Sequence, residues 1–122
     1  MPIKIYVQGE KADIAVFIDE TGKSDVIDFI ESLPDSDQEK VANLFNLFCQ
    51  QGRIWNEEKF KKEEGRIWAF KSFQVRILCA FLPRKLKPTV LLLHALHKKA
   101  DRLARSDVKK ARFLLDNILK SI

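Results

Sequence analysis

Three apolar runs, residues 66–71, 75–82 and 89–97, are separated only by SFQ and PRKLKP, and this spacing constrains the fold more than any other feature. Links this short join antiparallel neighbours, so the runs predict a β-meander. In 66–71, Trp68 and Phe70 face one way, and Ile67, Ala69 and Lys71 the other. In 75–82, Val75, Ile77, Cys79 and Phe81 oppose Arg76, Leu78, Ala80 and Leu82. The run 89–97 is apolar on both faces, as a central strand is.

Upstream, residues 12–20 alternate as a short strand, with Ile14, Val16 and Ile18 on one face. Residues 3–8 read as a second short strand or a loose arm within 1–11. Val26, Phe29, Ile30 and Leu33 follow the helical i, i+3, i+4, i+7 rule, so 24–34 is a helix that Ser24 or Asp25 can cap and Pro34 ends. A longer helix is expected over 36–52, with Ser36 and Glu39 as a capping box, a stripe of Val41, Leu44, Phe45 and Phe48, and Gly52 at its end. Residues 53–65 are charged and lack periodicity. A last helix over 106–122 starts at a Ser106 cap, with Val108, Ala111, Leu115, Ile118 and Ile122 as its stripe. The order β-α-α-β-β-β-α predicts one α+β domain over 1–122, with an antiparallel meander sheet and the helices packed on one face. The other face is then expected to be open.

Composition supports such a core. Hydrophobic residues make up 46% of the 122, including nine Phe and two Trp, so neither disulfides nor a metal is needed for folding. Cys49 and Cys79 both sit in apolar surroundings and read as free core residues. No apolar run followed by small residues opens the chain, and no run reaches membrane-spanning length, so a cytoplasmic protein without membrane attachment is expected.

The net charge of +5 is unevenly distributed. Residues 1–52 carry 4 Lys/Arg and 10 Asp/Glu, whereas residues 53–122 carry 18 and 7. A back half of net +11 suits a polyanion or an acidic partner. No nucleotide-binding loop or nucleophile elbow is present. His94 and His97 stand three apart on a strand and point to opposite faces, so they do not form one metal site, and no cofactor is expected.

Cations and histidines beside one sheet are the equipment of metal-free RNA cleavage. In that reaction a 2′-hydroxyl attacks the adjacent phosphorus, a base takes its proton, an acid protonates the departing 5′-oxygen, and cations hold the developing charge. Arg76 and Lys71 could grip the scissile phosphate, and His94 or His97 could move a proton. Lys98 and Lys99 could hold flanking phosphates, with Arg66, Arg84 and Lys85 as further basic contacts. Trp55 is the candidate for stacking on a base. Alternatively, His94 is a structural histidine and Arg76 an internal ion pair with an acid from the N-terminal half.

The segments EGRIWAFK, VRILCAFL and VLLLHALHKK, followed by a helix with Ala111 in its second turn, resemble HigB-like toxins of the RelE/ParE superfamily, a group often described as phage-derived. The resemblance implies a RelE-like fold and the toxin of a type II toxin–antitoxin pair. It further implies a ribosome-dependent mRNA endonuclease whose partners are mRNA on the ribosome and a helix-turn-helix antitoxin. Arg76 matches the basic residue of the second meander strand, His94 a frequent histidine, and Lys98 with Lys99 the KK pair. Lys71 stands where many members have Arg, and Ala69 where many have Glu. The superfamily's ParE branch implies an alternative, a non-enzymatic inhibitor of DNA gyrase. A third reading is an inactive relic that only binds an antitoxin.

Overall fold

A computed structural model describes residues 3–83, 85–100 and 102–121. Over those residues the protein is α+β, with a six-stranded mixed sheet and three helices. The elements in chain order are β1 (Ile3–Gln8), β2 (Asp13–Phe17), α1 (Asp25–Glu31), α2 (Asp35–Gln51), β3 (Phe60–Glu64), β4 (Ile67–Ser72), β5 (Val75–Phe81), β6 (Thr89–His97) and α3 (Arg105–Lys120). The sheet order is β1-β2-β6-β5-β4-β3. The meander β4-β5-β6 is present as expected, and residues 3–8 form a strand, not an arm. The β1–β2 hairpin joins the meander through a parallel pairing of β2 with β6. The expected order β-α-α-β-β-β-α is thus extended by a strand at its start and another before the meander.

Three expectations are corrected. The charged segment 53–65 contains β3, an antiparallel edge strand on β4. Its sequence, FKKEE, has one apolar anchor, Phe60, which is 1% exposed. Lysines and glutamates on an edge strand block pairing with other chains, and they also hide the two-residue period. Secondly, the helices do not share one face. Helices α1 and α2 cover one side through Val26, Ile30, Phe45 and Phe48, while α3 covers the other through Ala111, Leu115 and Ile118. The open face is therefore absent over most of the sheet, because Leu78, Ala80 and Ala69 are as fully buried as their neighbours on the first face. Thirdly, two caps differ. Ser24 caps α1, accepting from the Ile27 amide, and Gly52 ends α2 at φ +80°. But α2 begins at Asp35 behind Pro34, and α3 begins at Arg105 behind Ala104, with no side-chain cap at either start. The last stripe residue expected of α3, Ile122, lies outside the described residues.

The two cores differ in character. The α1/α2 side is aromatic: Phe48 packs against Phe60, Phe70 and Phe81 with ring centroids 5.4–6.1 Å apart. The α3 side uses small residues, Ala15, Ala69, Ala80 and Ala111, with Leu and Ile between them.

Candidate nucleic-acid interface

Alternation along β5 sends Val75, Ile77 and Cys79 into the aromatic core and Arg76, Leu78 and Ala80 toward α3. Arg76 is the first of the second set. It pairs across β4 with Lys71 and across β6 with Leu96, where the sheet reaches the N-terminal end of α3. There the guanidinium is 7% exposed. Its Nη1 donates to the carbonyls of Phe73, at 2.5 Å, and Val75, at 3.0 Å. Among the described residues, no acid of the N-terminal half forms an ion pair with it. Burial pulls the Arg76 pKa down, and the nearby Glu63 carboxylate opposes that shift.

Arg76 lines an open cleft of about 320 Å³ together with Lys61, Lys71, Lys98, Arg102 and Arg105. Glu63 and Glu64 are the carboxylates on its wall, and Leu103 and Val108 close it against α3. Lys71 sits among the other cations. The Lys71 pKa is lowered first by burial and then by the fields of Arg76 and Lys61. Glu63 opposes the shift more weakly than either, and Lys98 adds a last small push downward. Lys71 Nζ donates to the Glu57 carbonyl at 3.2 Å. The Lys98 amide donates to the Gln74 carbonyl at 2.6 Å and so ties the end of β6 to the β4–β5 hairpin.

A second cavity of about 410 Å³ adjoins the cleft through shared Lys98 and Arg102, and it contains His97, Lys99 and Asp107. His97 is exposed, and its ring lies 5.0 Å from that of Phe29 on the α1 side. His94 is elsewhere. The register of β6 slips opposite Leu78 and Cys79, leaving Leu93 as an extra residue. This bulge reverses the alternation, so His94 joins Leu93 on the α3 side. Its Nε2 lies 2.8 Å from Asp107 Oδ1 in the first turn of α3. The histidines do point to opposite faces, and His94 anchors α3 without lining the cationic cleft.

The remaining sequence candidates are dispersed. Arg66 and Lys85 lie at the other end of the sheet, around a cavity of about 770 Å³ that also contains Lys87 and Asp13. Arg66 and Arg76 are thus separated by most of a strand, roughly 17 Å at ~3.4 Å per residue. Trp55 is 77% exposed, but it stacks under the Arg53 guanidinium, 4.1 Å from the ring centroid, on the α1/α2 side near Trp68. Arg84 lies outside the described residues. Among the described residues no three His, Cys, Asp or Glu side chains converge as metal ligands, and no helix is long and apolar enough to cross a membrane.

Sequence reasoning misses Lys61, Arg102, Arg105, Asp107 and Phe73. The first three come from an edge strand, a loop and a helix start, and only the tertiary fold brings them together. Asp107 has a local signal, an acid in the first turn of a helix, where the macrodipole favours it.

The family model described as phage-derived protein Gp49-like (DUF891) matches residues 28–116. No curated protein matches the chain.

Proposed function

The chain belongs to the Gp49-like phage-derived family, and from that premise we propose that it is the toxin of a type II toxin–antitoxin pair that cleaves messenger RNA on the ribosome. The observation that carries this reading is the cleft at the hairpin end of the sheet, where burial and the crowding of Arg76, Lys61 and Lys98 depress the Lys71 pKa. Mutual repulsion of this kind is relieved by a bound polyanion.

The proposed chemistry needs no metal. The scissile phosphate sits over Arg76 and Lys98. The 2′-oxygen forms a bond to phosphorus while the bond from phosphorus to the 5′-oxygen breaks, leaving a cyclic phosphate and a free 5′-hydroxyl. The 2′-hydroxyl side of the chain runs round the end of β6 into the adjoining cavity lined by Lys98, Arg102 and His97, where the exposed His97 imidazole accepts the 2′-proton. Lys71, whose lowered pKa makes its ammonium a stronger acid than an ordinary lysine, supplies the proton to the 5′-oxygen. His94 holds Asp107 and thereby the start of α3, which forms the cleft's far wall. The antitoxin implied by the family resemblance is expected to cover this end of the sheet.

The test is induction in bacteria with mapping of messenger RNA 5′ ends, comparing wild type with Lys71→Met and His97→Gln. Wild type should create new 5′ ends within coding sequences, and each variant should reduce them by about 10²-fold or more. Growth arrest with no new ends would refute the nuclease reading, and arrest with gyrase-linked DNA breaks would replace it with the non-enzymatic alternative.

A further inference from the structure

Folding alone does not explain Phe73. It sits at the tip of the β4–β5 hairpin, 74% exposed, with φ +53°. Bulky side chains avoid this left-handed region, and turns that need it choose Gly or Asn. A turn shaped only by folding would therefore carry neither the ring nor its exposure. The turn is also built into the cationic cleft. The Arg76 guanidinium donates to the Phe73 carbonyl at 2.5 Å, Lys71 precedes it by two residues, and Gln74 beside it accepts from the Lys98 amide. The Lys40 ammonium of α2 lies over one face of the ring, 4.2 Å from its centroid, and the ring's exposure leaves the other face for a base.

We propose that Phe73 is a base-stacking platform for single-stranded RNA whose backbone crosses the hairpin tip, one phosphate resting among Lys71, Arg76 and Lys98 and the neighbouring base lying on the ring. This rests on the reading of the cleft as an RNA site and adds to it the residue that recognises a base. Cations alone bind any polyphosphate. An exposed aromatic ring beside them selects chains that carry bases, since every base has a face to stack. Beyond its phosphate contact, Arg76 holds the turn through its bond to the Phe73 carbonyl.

The test measures binding of two probes, a fluorescent single-stranded RNA dodecamer and a linear inorganic polyphosphate of matched charge. Phe73→Asn removes the ring and suits the left-handed backbone, and Phe73→Trp keeps a stacking surface; thermal melts confirm that both fold. Phe73→Asn should bind RNA about 5- to 140-fold more weakly and polyphosphate as wild type does, while Phe73→Trp should retain RNA affinity. Unchanged RNA binding by Phe73→Asn would overturn the platform and leave the cleft reading intact. An equal loss for both probes would overturn it too, by showing that the residue only shapes the turn. If wild type binds neither probe, the cleft reading falls and the platform with it.

Discussion

At the end of the sheet near Arg66, two cations, Lys87 and Arg66, are matched to protein acceptors. Lys87 Nζ lies 3.0 Å from Asp13 Oδ1 and 2.8 Å from the Gly9 carbonyl, and Arg66 donates to the Phe81 carbonyl at 3.2 Å. At the hairpin end, Lys71 and Arg76 also meet carbonyls, but the charged neighbours that Lys71 feels most strongly are two other cations, Arg76 and Lys61. One end satisfies a buried acid of its own, and the other brings Lys61, Lys71, Lys98, Arg76, Arg102 and Arg105 around one cleft. Basic residues are common at both ends, so their number alone does not locate a polyanion site. What sets the hairpin end apart is Lys71, whose pKa is pulled down by burial and by the cations beside it.

Disturbing this contrast should cost most stability at the Arg66 end. Lys87→Met leaves the Asp13 carboxylate, a residue only 8% exposed, without its cation. It should destabilise the fold by about 2 kcal/mol, the scale for a buried charged group losing its partner. Urea unfolding reads this directly, and a change indistinguishable from zero would show that the pair is not structural. At the hairpin end the same type of substitution should act in the opposite direction and more weakly. The folded-state pKa of Lys71 lies below the ordinary lysine value of 10.5, so the folded protein binds fewer protons than the unfolded chain between the two values. Stability of the wild type therefore rises with pH through that window. Lys71→Met should stabilise the protein at pH 7, and its advantage should shrink as pH climbs toward 10.5. Paired unfolding curves along a pH series check the sign, and a destabilised variant at pH 7 would mean that Lys71 is held by favourable contacts.

The two ends are unequally legible in the sequence. The meander is plain, because SFQ and PRKLKP leave room only for neighbouring strands, and Lys71, Arg76 and Lys98 are visible as cations within or at the ends of apolar runs. The amphipathic stripe of α3 shows that it packs, but a stripe does not say on which face. The signal lies instead in Leu78, Ala80 and Leu82, an apolar set opposite an apolar set, which marks a strand covered twice. His94 falls on the expected strand, but its partner depends on the bulge at Leu93, a register event that alternation cannot reveal. β3 is hidden because Phe60 is the lone apolar residue of an edge strand. Phe73 escapes notice because nothing in its neighbours announces a positive φ for a phenylalanine.

Whether the hairpin end is the nucleic-acid surface can be read from the salt dependence of single-stranded RNA affinity, measured for one double variant at each end of the sheet. Each lost phosphate contact flattens the slope of log affinity against log salt by about 0.7 for a single strand. Lys71→Met with Arg102→Met should reduce its magnitude by roughly 1.4, while Arg66→Met with Lys85→Met should leave it at the wild-type value. A slope that flattens only for the Arg66 and Lys85 pair, or for neither, would contradict the assignment of the hairpin end as that surface.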